Sequence, residues 1–139
     1  MFNHAFTLIE LVIVIVILGL LASVAMPMYL EYRTDANRSA EQYVVGAVRT
    51  GVYNQYAKNK ISGGPTFPTS LDSASANSTA SSTNPFFSTI LDSPVTSGWS
   101  KDGTTTTYIG PAGTTYYYDS SAGRFSTTNP GTGSPTSYP

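Results

Sequence analysis

FTLIELVIVIVILGLLASVAMPMYL, residues 6–30, is the stretch whose reading decides the fold. From Leu11 to Leu30 no residue carries a charge, yet Glu10 stands at the mouth of the run. A helix needs ~20 apolar residues to cross a hydrocarbon core of ~30 Å, and this run has that length. Val and Ile dominate it, and β-branched side chains are only mildly unfavourable in helices. In lipid the backbone must satisfy its own hydrogen bonds, so a helix is the expected form. Gly19 and Pro27 interrupt the run, and membrane helices tolerate both.

Three readings of this segment compete. The first is a cleaved secretory signal, for which Ser23-Val24-Ala25 is a loose small-x-small site. Against it, no Lys or Arg precedes the apolar run, the run is long, and Glu10 would have to enter it. The second is a plain single-pass anchor, which explains the length but not the carboxylate. The third uses the carboxylate. A charge near the centre of a membrane costs at least ~2.5–3.5 kcal/mol and normally has a partner. No cation lies nearby in the sequence. A cut between Ala5 and Phe6 would create an α-amine four residues before Glu10. A neighbouring subunit's amine could then pair with this carboxylate, which makes Glu10 an assembly register.

Phe6-Thr7-Leu8-Ile9-Glu10-Leu11 resembles the processing and assembly signature of bacterial type IV pilins and the related secretion pseudopilins. The resemblance implies that a prepilin peptidase cuts between Ala5 and Phe6 and methylates the new amine of Phe6. It makes Glu10 the fifth mature residue, as in the family. It also puts Gly19 and Pro27 where the family usually has a helix-loosening Gly and Pro. It is close over about residues 5–32 and otherwise extends only to architecture. Two positions depart from the family pattern. Ala5 stands where Gly is usual before the cut, and the leader, residues 1–5, has no Lys or Arg, only His4 and the terminal amine.

The remainder reads as a head. From Glu31 to about Lys60 the helix is expected to continue as an amphipathic rod. Its apolar stripe is Ala36, Ala40, Tyr43, Val44, Ala47, Val48, Val52 and Tyr56, at three- and four-residue steps. Glu31, Arg33, Asp35, Arg38, Glu41, Arg49 and Lys58 fall mainly outside that stripe. Lys58 and Lys60 suit a C-terminal turn, and Gly63-Gly64-Pro65 stops it. A helix from Phe6 to Lys60 would be roughly 80 Å long at ~1.5 Å per residue. No globule of 139 residues buries that, so the first half must pack on lipid or on other subunits.

Residues 63–100 read as a connecting loop, with Asn84-Pro85 capping one short helical turn over residues 86–91. Strand-like runs follow at 104–109, 114–119 and 124–128. The tetrapeptides Gly110-Pro111-Ala112-Gly113 and Ser120-Ser121-Ala122-Gly123 read as tight connections between them. The expected fold class is α+β: a long N-terminal helix, half exposed and apolar, half amphipathic, on a small antiparallel sheet. The organisation is a leader at 1–5, an apolar membrane or filament-core helix at 6–30 and the amphipathic helix at 31–62. The connecting loop spans 63–100, the sheet 101–128 and a Gly/Pro/Ser/Thr-rich tail 129–139.

Chemistry of an enzymatic kind is thin. There is no cysteine, and His4 is the one histidine, so neither thiolate sites nor histidine-based acid–base chemistry are on offer. Asp72, Asp92, Asp102 and Asp119 are dispersed, and each neighbours a turn residue. They read as turn-shaping residues, with calcium ligation as the alternative, since calcium needs several oxygens gathered together. Tyr116-Tyr117-Tyr118 reads as a strand that alternates faces. Tyr29, Tyr32, Tyr43, Tyr53 and Tyr56 admit an aromatic electron path, but packing explains them. Asn77-Ser78-Thr79 and the many Ser and Thr residues admit glycans, with plain solubility as the simpler account. No catalytic residue, cofactor or metal is expected. The net charge of −1, with 11% charged residues, gives no nucleic-acid footprint.

The reading is a structural one: the major subunit of a type IV pilus-like filament, anchored in the inner membrane before assembly and extracellular after it. Its assembly residues are Phe6, Glu10, Gly19 and Pro27. Its implied partners are further copies of itself, a prepilin peptidase, an assembly ATPase and an inner-membrane platform. A pseudopilin of a type II secretion system is the nearest alternative, though the chain lacks an evident acidic calcium cluster. A monomeric membrane-anchored binding module is the more distant one.

Overall fold

The computed structural model describes residues 5–64 and 66–131. One helix, α1 (Leu8–Ser62), precedes four strands: β1 (Ser100–Lys101), β2 (Thr107–Ile109), β3 (Thr115–Asp119) and β4 (Arg124–Ser126). This is the α+β arrangement expected. Apart from Ala5, the expected leader lies outside the described residues, and so does the expected tail beyond Gly131. The chain divides into two compact units, residues 1–36 and 37–139.

In the first unit α1 runs through both Gly19 and Pro27 without a break. Every described side chain up to Ala36 is exposed. In the second unit α1 buries Glu41, Val45, Val48, Gly51 and Val52. The expected stripe holds for Val48 and Val52, but the buried face is turned. Val45 is inside, whereas Tyr43 is 80% exposed and Ala36 and Ala40 face solvent. The helix has apolar residues on more than one side, so its periodicity does not choose a face, and the layer opposite chooses it. Glu41, expected among the solvent-facing charges, is buried for the same reason. Gly51 is tolerated mid-helix, at a cost of up to ~1 kcal/mol relative to Ala, because the loop backbone comes close there. The carbonyl of Ile90 lies 2.6 Å from where a Cβ would stand.

The four strands form one antiparallel meander in the order β1-β2-β3-β4. The β2–β3 connection closes with Gly113 N–H donating to the Gly110 carbonyl at 2.9 Å, and Gly113 sits at φ 84°. In the β3–β4 connection the Asp119 carboxylate accepts from the Ser121 amide at 2.9 Å and the Ser121 hydroxyl at 2.6 Å. Asp119 therefore does shape a turn. Along β3, Tyr116 and Tyr118 point into the core while Tyr117 does not, the alternation expected of a half-buried strand.

The connection between helix and sheet contributes much of the core. Leu71, Ala74, Phe86 and Phe87 are buried there beside Trp99, Tyr108, Tyr116, Tyr118 and Phe125. The Phe87 ring touches four aromatic neighbours: Phe86, Trp99, Tyr108 and Phe125, with centroids 4.7–6.3 Å away. Fully burying a side chain of this kind contributes about 1.5–3 kcal/mol.

The short helix expected around residues 86–91 is not formed. Phe86 instead makes a β-bridge to Val95, and a single turn follows, with Leu91 N–H donating to the Phe87 carbonyl at 3.0 Å. The cause is local. The Phe87 amide donates to Asp72 Oδ2 at 3.1 Å, and Phe87 sits at φ 60°, a region bulky residues rarely occupy and a helix cannot use.

Candidate functional site

The candidate site is the N-terminal face of α1. Thr7 is its N-cap. The Thr7 amide and hydroxyl both donate to Glu10 Oε2, at 2.9 and 2.8 Å, and the Glu10 amide donates back to Thr7 Oγ1 at 3.3 Å. This reciprocal arrangement is a capping box, which satisfies amides that the first helical turn leaves without partners. Sequence reasoning gave Glu10 no partner within its own chain. The signal was present, since Thr7-x-x-Glu10 has the spacing of a capping box, and a close-range hydrogen-bond partner was there to be read.

Beyond Glu10 the face is entirely apolar and uncovered. From Phe6, 86% exposed, to Val12, 38% exposed, none of its large hydrophobic side chains is buried. Among the described residues α1 alone is long and apolar enough to cross a membrane, and its most apolar 18 residues are wholly unburied. A folded chain that leaves so continuous an apolar surface open has it covered by lipid or by another protein. Nothing lies within 4 Å of where a Cβ on Gly19 would stand, so a neighbouring backbone has room to approach there. Ser23 Oγ donates to the Leu20 carbonyl at 2.7 Å, which hides the hydroxyl against its own helix.

The head holds two buried carboxylates, and each of their oxygens is bonded within the chain. Asp72, expected to shape a turn, does so through the Ala74 amide two residues on and is a core hub as well. Its Oδ1 accepts from the Ala74 amide at 2.9 Å and from Lys101 Nζ at 2.5 Å. Its Oδ2 accepts from the Phe87 amide and from the Tyr108 hydroxyl at 3.0 Å. Lys101 also donates to the Ala74 carbonyl at 2.8 Å and lies over the Tyr108 ring, 4.9 Å from its centroid. Burial, then the Asp72 charge, push the Tyr108 hydroxyl well above the ordinary phenol range.

Glu41 is the second buried carboxylate. It accepts from the Ala112 amide at 2.8 Å and from the Tyr116 hydroxyl at 2.8 Å, and so locks α1 to the β2–β3 turn. Its side chain fills the space that a Cβ on Gly110 would need, which explains that glycine. Burial and the Glu41 contact raise the Tyr116 pKa. No local signal marks either carboxylate, because their partners lie far along the chain. Among the described residues no three of His, Cys, Asp and Glu gather to hold a metal ion. His4 lies outside the described residues.

Of the residues singled out from sequence, the structure brings Phe6, Glu10, Gly19 and Pro27 onto one exposed segment, with Pro27 inside the continuous helix. Residues 1–26 match the family model described as the prokaryotic N-terminal methylation motif. The chain is 40% identical over 76 residues to the fimbrial protein EcpB of Eikenella corrodens, a match covering 55% of this chain and 46% of that protein. The chain thus spans about half the length of the curated relative it matches. No solved structure matches it significantly. The chain thus carries the type IV pilin methylation signature at residues 1–26, ahead of an uncovered apolar helix and a four-stranded antiparallel head of α+β class.

Proposed function

We propose that this chain is the major structural subunit of a type IV pilus-like extracellular filament, and not an enzyme. The observation that carries the reading is the uncovered apolar face of α1 directly after the methylation motif. One helix has to be stable first in lipid and then among other helices, and a side chain set of Val, Ile and Leu suits both. Cleavage between Ala5 and Phe6 by a prepilin peptidase would leave the Phe6 amine, which is then methylated. That amine would meet Glu10 of an adjoining copy, exchanging the carboxylate's bonds to Thr7 for a charge-assisted one. Gly19 and Pro27 would give the helix local freedom as it moves from membrane to filament. An assembly ATPase and an inner-membrane platform would drive that transfer.

The fimbrial name of the relative favours a pilus over a secretion pseudopilus. The test is to express the full chain with a pilus assembly system and shear the cells. The reading requires fibres visible by electron microscopy and a subunit whose first residue is N-methylated Phe6 by mass spectrometry. A subunit that stays monomeric in the membrane with residues 1–5 attached would overturn it.

A further inference from the structure

The head carries a groove of about 390 Å³ lined by Arg49, Tyr53, Gly123, Arg124, Phe125 and Ser126. Two cations share it because the fold brings helix and edge strand together: Arg49 Nε donates to the Phe125 carbonyl at 3.0 Å, and Arg124 precedes Phe125 on β4. That bond is the one hydrogen bond Arg49 makes among the described residues, so the other edge of its guanidinium remains available. Arg124 is only loosely compensated. Its Nη2 lies 3.7 Å from Asp119 Oδ2, beyond hydrogen-bond distance, and its side chain is 43% exposed. Asp119 Oδ1 is committed to the Ser121 and Ala122 amides and the Ser121 hydroxyl. Tyr53, itself exposed, adds an aromatic wall.

Such a groove, with two cations in its lining, suits a pair of anionic groups. The chain supplies one such pair among its exposed carboxylates. Glu31 and Asp35, at i and i+4 on α1, share a face and lie about 5–6 Å apart at their Cβ atoms. Both are exposed, and neither makes a hydrogen bond or ion pair among the described residues. Asp92 and Asp102 stand singly in the loops, and Glu41 and Asp72 are buried. Guanidinium groups bind carboxylates through paired N–H donors, with geometry that sets register as well as adding attraction.

We propose that the Arg49/Arg124 groove of one subunit receives the Glu31/Asp35 face of a second copy of this chain. The contact rests on the filament reading and adds to it a polar register on the head, separate from the one at Glu10.

The test uses full-length chain in a fibre-forming background. Glu31→Gln with Asp35→Asn removes both charges outside the head. Arg124→Gln removes one within it without setting a carboxylate opposite Asp119. Each is expected to lose most fibre while processed subunit accumulates normally. Combined, they are expected to do no further harm, because both remove the same contact.

The chain has no cysteine, so Thr34→Cys with Ser126→Cys, which flank the contact and keep all four of its charges, gives a clean second readout. A short bismaleimide is expected to link these subunits into a ladder in fibres but not in detergent-dispersed monomers. Additive losses, or well-formed fibres without a ladder, overturn the contact and leave the filament reading standing. If the unaltered chain makes no fibres, the filament reading falls and the contact falls with it.

Discussion

The apolar half of α1 and the head solve the same problem in opposite ways. In the head, each buried carboxylate is bonded within the chain: Asp72 accepts from four groups, and Glu41 from two. No buried side-chain polar atom among the described residues lacks a partner. In residues 6–30 the apolar side chains have no cover, and the one carboxylate is held only by the adjacent Thr7. The head is finished as a single molecule. The apolar segment is finished only by its surroundings, so substitutions in the two regions must be read with different assays.

The largest effect that tests this contrast is expected at Val16, mid-way along the uncovered face and 54% exposed in the single chain. Val16→Lys places an ammonium at membrane depth, where insertion alone costs about 2.5–3.5 kcal/mol and no carboxylate is available beside it. Fibres should be absent by electron microscopy. Thr106→Lys, a comparable change on the head's outer loop, should leave them intact. A chain that assembles with Lys at position 16 breaks the distinction between the two regions.

Next comes the head's own hub. Asp72→Ala strands Lys101, whose side chain is 1% exposed, and removing one partner of a buried pair costs about 3–5 kcal/mol. The head should lose its cooperative thermal transition or melt much lower. Replacing both members with apolar residues, Asp72→Leu with Lys101→Met, should recover part of that loss, since no charge is then left unpaired. If the double variant is worse than Asp72→Ala, the hub acts through its amide contacts to Ala74 and Phe87 more than through charge.

Alkaline pH should act on the head alone. Tyr118 is pushed up to about 12, first by burial and then by the Asp119 charge, and its hydroxyl donates to the Pro68 carbonyl at 2.6 Å. Tyr116 and Tyr108 are raised as well. An unfolded tyrosine ionises near pH 10, so above that the unfolded chain binds fewer protons than the folded one. Stability is therefore complete below about pH 10 and is lost as pH climbs toward 12. The share of tyrosinate absorbance that belongs to these three should rise in step with unfolding and not ahead of it. Early ionisation of all ten tyrosines would mean these three are not protected.

What could be read in the sequence follows the reach of each interaction. The apolar run and the turn residues around β2, β3 and β4 act over a few neighbours, and both were legible. So was the α+β class. The buried face of α1 was not, because Val45 and Tyr43 are both apolar enough to be inside, and the sheet decided between them. Glu41 is 71 and 75 residues from its two partners, and Lys101 is 29 from Asp72. At those separations a carboxylate that braces a core looks like one that caps a loop. The helix expected near Phe87 failed for the same reason, since a side chain 15 residues upstream captured its amide.

Thr7 should give the smallest effect. Thr7→Ala removes the hydroxyl that bridges Glu10 Oε2 and the Glu10 amide, but residue 7 keeps its own N–H to that same oxygen. Losing an N-cap side chain costs about 0.5–2 kcal/mol, and the loss is confined to the first turn. The helix should fray by a turn at its start while the rest of its apolar face is unchanged. Glu10→Ala differs in kind. On the proposed assembly it removes the carboxylate that meets an incoming Phe6 amine, so it should still be inserted and processed but lose nearly all fibre. The comparison is an immunoblot for processed subunit beside fibre counts for both variants. Near-normal fibre from Thr7→Ala and almost none from Glu10→Ala would place the function in the carboxylate, with Thr7 as its holder before assembly. Equal loss in both would mean that the capping box has to persist in the fibre, and that Glu10 does not exchange Thr7 for a neighbour.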